Sequence, residues 1–174
     1  MMSVYAILPL RVVLLSALLL LAGCGPLDRE ETLREELASY FYISKTLRFE
    51  SQGQCTAAIF QLVSQGTRRP VAVVSDVRAG LRLIKQGRVV AFDVTDATPN
   101  EVSEQVMSIS LEEGVGLISS FIGPAMECMD DQFQIDAYYA LTTPDTLAIY
   151  DPAANAFMML HRPNRLLFFM RGTI

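Results

Sequence analysis

Residues 146–170 read TLAIYDPAANAFMMLHRPNRLLFFM, and this stretch decides the fold. Thr146–Tyr150, Phe157–His161 and Leu166–Met170 are short runs of aliphatic and aromatic side chains. Asp151-Pro152-Ala153-Ala154-Asn155 and Arg162-Pro163-Asn164-Arg165 separate them. Pro, Asn and Asp are turn formers, because they fix or tolerate the backbone angles that a chain reversal needs. The spacing predicts a three-stranded β-meander. Both alternating faces of the last two runs are apolar, so these strands are covered on both sides or meet a partner.

Upstream of the meander the apolar period lengthens from two to between three and four. Asp28-Arg29-Glu30-Glu31 places an N-cap residue ahead of a carboxylate, as a capping box with Asp in place of Ser or Thr. Leu33, Leu37, Tyr40 and Phe41 then share one face, which predicts a helix to about Tyr42, supported by an i,i+4 pair of Glu30 and Arg34. Thr46–Glu50 reads as a short strand. Residues 55–63 satisfy two readings: helical spacing of Cys55, Ala58, Ile59, Leu62 and Val63, or a buried strand. Ser75–Gln86 reads as a helix capped by Ser75 and closed by Gly87, followed by a strand at Val89–Val94. Thr98-Pro99 opens another helix. Ser110-Leu111-Glu112-Glu113 caps one more, running to about Ile122, in which Gly114, Gly116, Ser119, Ser120 and Gly123 permit close approach by another element. Helices first and a meander last predict an α+β class: a single small domain, an antiparallel sheet with helices on one face.

The N-terminal end carries a different signal. Val12 to Gly23 is an uncharged run behind Arg11, and its length of roughly 18 Å as a helix is too short for a bilayer core. It ends in Leu21-Ala22-Gly23-Cys24. This stretch resembles the lipobox of bacterial lipoproteins. The resemblance implies a signal peptide over residues 1–23, cleavage before Cys24 and acylation (palmitate among the acyl groups) of the Cys24 sulfur. It divides the chain into the signal, a lipidated tether at 24–27 and a globular domain at 28–174. Gly25, rather than Asp, follows the cysteine, and in the enterobacterial pattern this favours the periplasmic face of the outer membrane over the inner membrane. The tether spans at most roughly 14 Å, so the domain is expected to sit close to the bilayer.

Removal of residues 1–23 takes away one cation, Arg11, and leaves 13 basic and 19 acidic side chains, a net charge of −6. Lys45 to Arg88 holds eight basic and two acidic residues, whereas Val89 to His161 holds twelve acidic residues and no Lys or Arg. An acidic domain excludes a free-standing nucleic-acid binder. The two halves are expected to neutralise each other by packing together; the other reading sets the basic segment against anionic headgroups. Cys55 and Cys128 are the remaining cysteines, and an exported chain with two predicts a disulfide. Closing a loop of about 73 residues is worth roughly 4 kcal/mol in the chain-entropy model.

Three function classes are compatible with these residues. The first is a non-enzymatic binding or envelope-assembly module with a protein partner, its contact surface the meander or the glycine-rich helix, needing neither cofactor nor metal. The second is a thiol-dependent cell-wall hydrolase. Its order, Cys55 opening a helix and His161 on a strand, is similar to that of cell-wall cysteine peptidases, although Gln54-Cys55-Thr56-Ala57 departs from their motif. The third is a copper-binding lipoprotein using Met126, Cys128, Met129, Met158, Met159 and His161, soft ligands without a recognisable spacing. Asp130, Asp131 and Asp136 lack calcium-loop spacing and read as solvated surface. No serine-hydrolase elbow occurs, and His161 is the only histidine. The first class is the expectation.

Overall fold

The meander forms and becomes the centre of a larger sheet. A computed structural model describes residues 26–121 and 124–172; the signal reading, Cys24 and Gly123 lie outside the described residues. Helix α1 (Glu30–Ala38) leads into a hairpin of β1 (Ile43–Gln52) and β2 (Cys55–Leu62). Next come β3 (Ala72–Val74), α2 (Val77–Ile84) and β4 (Val90–Phe92). Helices α3 (Pro99–Ile109), α4 (Leu111–Phe121), α5 (Pro124–Glu127) and α6 (Asp131–Leu141) follow. The meander strands β5 (Thr146–Asp151), β6 (Ala156–His161) and β7 (Leu166–Gly172) complete an α+β domain.

The sheet order is β1-β2-β7-β6-β5-β4-β3. Every neighbouring pair is antiparallel except β3 and β4, which are parallel and joined through α2. The meander therefore has β2 on one flank and β4 on the other, and it presents no free edge. Its tight turns place Asn155 and Arg165 at positive φ, 45° and 53°.

Both faces of the sheet are buried along β2 and β4 to β7, while the edge strands β1 and β3 are partly exposed. One face packs Ile59, Phe157, Met159 and Phe168 against α2 to α6, through side chains such as Leu81, Val106, Leu117 and Phe133. The other packs Phe60, Met158, Leu160 and Phe169 with Leu33 and Leu37 of α1, Phe41 and Val71. Helices thus lie on both faces, which corrects the one-sided arrangement expected from sequence. It also explains the doubly apolar strands: residues 156–161 are buried at every position. The meander is covered by the chain itself and offers no surface to a partner.

Several local expectations are revised. Asp28 does not cap α1; Arg29 occupies the N-cap with no side-chain bond. The Asp28 carboxylate instead accepts from Thr56 Oγ1 (2.6 Å) and from Arg171 Nε (3.1 Å) and Nη2. Arg34 turns from Glu30 to Thr46 Oγ1, 3.0 Å away on β1. Residues 55–62 are a strand, because the segment lies between two apolar layers and is buried on both of its faces. β1 is twice the length expected, since register shifts between Ile43 and Lys45 and between Thr46 and Arg48 break the alternation that marks a strand. Asp76, not Ser75, caps α2 by accepting from Ala79 N at 2.7 Å. At the other end of α2, Gly87 takes φ +76°. Thr98 and Glu101 form a reciprocal capping box on α3.

The basic and acidic segments meet in two ion pairs, Arg48–Asp130 (2.7 Å) and Lys85–Glu113 (3.2 Å). Gly114 and Gly116 of α4 do permit close approach, by elements of this same chain. A Cβ on Gly114 would stand 2.6 Å from Met107 Cα of α3, and one on Gly116 3.0 Å from the Tyr150 hydroxyl. Among the described residues, no helix is long and apolar enough to cross a membrane.

Candidate binding groove

The corner between α5 and α6 is held by a disulfide and by the side-chain bonds of Asp130, Gln134 and Gln52. Cys128, in the turn between the two helices, is joined by a disulfide to Cys55, the first residue of β2. Asp130 caps α6 by accepting from Phe133 N at 2.7 Å, and the same carboxylate receives Arg48 Nη1 of β1 at 2.7 Å on both oxygens. Gln134 Nε2 donates back to the Met129 carbonyl at 3.0 Å, and Gln52 Nε2 of β1 donates to the Glu127 carbonyl at 3.3 Å. Phe133, Ala137 and Ala140 then face the core, with the Phe133 ring 6.4 Å from that of Phe168.

Fixing that face inward leaves the other side of α6 outward, and that side is also apolar. Ile135 is 61% exposed and Tyr138 66%. With Met126, Met129, Asp131, Gln134 and Ala137 they line an open groove of about 470 Å³. Its floor is buried Met129 and Ala137. That volume falls in the range of ligand sites, and a thioether floor adapts its shape to what lies on it. A second cleft of about 440 Å³ lies beside α3, lined by Asp96, Glu101 and Glu104 among others. Its carboxylates are partly engaged: Glu101 is held in the α3 cap and Glu104 accepts from Asn100 at 2.8 Å.

The sequence-derived candidates fall in different places. Cys55 pairs in register with Gly172, while His161 pairs with Leu166 of the same strand. Six residues of β7 at about 3.3 Å each put the two side chains roughly 20 Å apart along the sheet. The Cys55 sulfur is held in the disulfide. A thiolate–imidazole pair is therefore not assembled from these two residues. His161 is buried, its Nδ1 is 3.0 Å from Thr146 Oγ1, and the Tyr139 ring stands edge-on with centroids 5.6 Å apart. Burial pushes its pKa below the usual histidine value, and nearby Asp145 opposes the shift.

Of the soft-ligand set, Met126 and Met129 share the groove, but Met158 and Met159 project from opposite faces of β6. Among the described residues, no group of three or more His, Cys, Asp or Glu side chains is placed to hold a metal ion. Asp131 is exposed, Asp136 is half-buried and accepts from Gln132 Nε2 at 2.9 Å, and Asp130 is committed to its cap and to Arg48. Ile135 and Tyr138, which make the groove open and apolar, and exposed Tyr139 beside them carry no motif that marks them in the sequence. The signal was present: an Asp130 cap followed by Phe133, Ala137 and Ala140 at helical spacing leaves Ile135, Tyr138 and Tyr139 on the other side. Compared with known proteins, the chain matches no family model, no curated protein and no solved structure.

Proposed function

We propose that the protein is a non-catalytic binding module of the bacterial envelope, anchored by lipid on Cys24 at the periplasmic face of the outer membrane, with the α5–α6 groove as its docking surface. The observation that carries the docking role is that groove: exposed Ile135 and Tyr138 beside buried Met129 and Ala137, on a corner braced by Cys55–Cys128. A soluble domain rarely braces an apolar surface and leaves it open without a use for it. The lipobox residues Leu21 to Cys24 support the anchor. The placement of the corner fits a membrane-proximal role. Asp28, four residues after Cys24, is bound to Thr56 of β2, and Cys128 is bound to the adjacent Cys55, so the tether and the groove reach the same end of β2.

Two measurements test this reading. Growth with an alkyne-tagged fatty acid is expected to label the chain, and Cys24→Ser to abolish the label. A photo-crosslinking amino acid at position 135 or 138 in cells is expected to give a discrete adduct, while the same group at exposed Val73 on edge strand β3 gives none. No adduct from either groove position, or equal adducts from position 73, refutes the docking role.

A further inference from the structure

We propose that the α5–α6 groove takes a basic amphipathic helix from a protein partner; this rests on the binding-module reading and names the chemistry of its occupant. The first argument is shape. Ile135, Tyr138 and Tyr139 stand at i, i+3 and i+4, so they form one exposed stripe along α6 while Phe133 and Ala137 face inward. The stripe continues into the groove over Met126 and Met129. A ridge of side chains beside a thioether-lined trough is the surface on which an amphipathic helix lays its own apolar face. A small molecule in the trough would leave most of the stripe uncovered.

The second argument is charge. Asp131 lines the groove and is exposed; exposed Glu127 and half-buried Asp136, which accepts from Gln132 Nε2 at 2.9 Å, are next in sequence to its lining residues Met126 and Ile135. Among the described residues no cation pairs with any of the three. Arg48, the cation bonded into this corner, is used by Asp130. The chain offers no local replacement, since residues 89–161 contain no Lys or Arg. Three carboxylates without a cationic partner, one lining the apolar groove and two beside its lining residues, disfavour an acidic peptide or an anionic lipid headgroup and favour a cationic rim on the occupant. Aromatic Tyr138 and Tyr139 beside this rim add faces on which Lys and Arg side chains stack.

The test uses the full chain in nanodiscs of zwitterionic lipid, with empty nanodiscs as the baseline. Binding of two fluorescent amphipathic peptides, one Leu/Lys and one Leu/Glu with the same leucine pattern, is read by anisotropy. The Leu/Lys peptide is expected to bind at least about tenfold more tightly, and Tyr138→Ala or Ile135→Asp to weaken it by about tenfold. The double change Glu127→Lys, Asp136→Lys, checked for an unaltered circular-dichroism spectrum, is expected to reverse the preference. Equal affinity for both peptides, lost in Ile135→Asp, overturns the charge assignment and leaves the groove as the docking surface. Leu/Lys binding that ignores the groove variants, or no binding at all, overturns the proposal; in-cell crosslinking at position 138 then decides the module reading independently.

Discussion

Asp28 offers a perturbation whose size separates two accounts of the same residue. Read from sequence it is a helix cap, and replacing an Asp cap by Ala costs about 1 kcal/mol. In the structure its carboxylate accepts from Arg171 Nε and Nη2 and from Thr56 Oγ1, with the Asp28 and Arg171 side chains only 11% and 18% exposed. Two unit charges about 4 Å apart attract by about 4 kcal/mol at an effective dielectric of 20, a gross figure that desolvation offsets. Removing one partner is different, because it leaves the other charge buried and alone, at about 3–5 kcal/mol. Asp28→Ala is therefore expected to lower stability in urea, followed by far-ultraviolet circular dichroism, by about 3–5 kcal/mol. At about 2–4 °C per kcal/mol for a domain of this size, Tm falls by roughly 10 °C. The double change Asp28→Leu, Arg171→Met removes both charges and is expected to recover most of the loss, with a coupling of at least about 1 kcal/mol. A cost near 1 kcal/mol, additive with Arg171→Met, refutes the buried pair. Asp28 is the point at which the segment preceding α1 is fastened to β2 and to the last strand.

Cys55 and Cys128 are expected to resist alkylation until reduced, and the pair Cys55→Ala, Cys128→Ala to cost about 4 kcal/mol in urea unfolding; a loss under about 1 kcal/mol contradicts a bridge that closes so long a loop. Gly114→Ala meets backbone atoms of Met107 and is expected to lower stability by about 1–3 kcal/mol. Gly116→Ala meets the tip of Tyr150, whose hydroxyl can shift, so it costs less; thermal melts showing the reverse order contradict the packing of α4 on α3. His161 has its pKa lowered by burial, so between its folded value and about 6.5 the unfolded chain binds the extra proton and stability falls as pH falls. Melts at pH 7.5 and 5.5 are expected to differ less in His161→Gln than in the unaltered chain, and an unchanged difference rules out this histidine as the source.

The meander was legible because it carries its information locally. Turn formers bracket three apolar runs of five residues, and β5, β6 and β7 extend those runs by only one or two residues. The α3 helix was legible for the same reason, with Thr98, Pro99 and Glu101 meeting in one cap. Elements set by long-range pairing were not. β3 is three residues long and exists through its pairing with β4. β1 hides its alternation behind two bulges. Residues 55–62 become a strand only because β7 and β1 flank them, a fact that lies more than a hundred residues away for β7.

Asp28 and the groove show how a correct local rule is overridden. An Asp three residues before a Glu satisfies the capping pattern, but a carboxylate near a guanidinium in a partly buried site gains more from the ion pair than from one backbone N–H, so the cap is given up. The opposite happens at Asp130, where cap and ion pair coexist because Arg48 approaches from β1 while Phe133 N lies within the helix. That double use fixes how α6 is rotated. Once Phe133 and Ala137 must face the core, Ile135 and Tyr138 must face away from it, two apolar residues placed outward by a helix whose inward face is already full. The groove is thus a consequence of where α6 is fastened rather than of an unfilled core. This is why ligand-like spacing over Met126 to Asp131 does not reveal it.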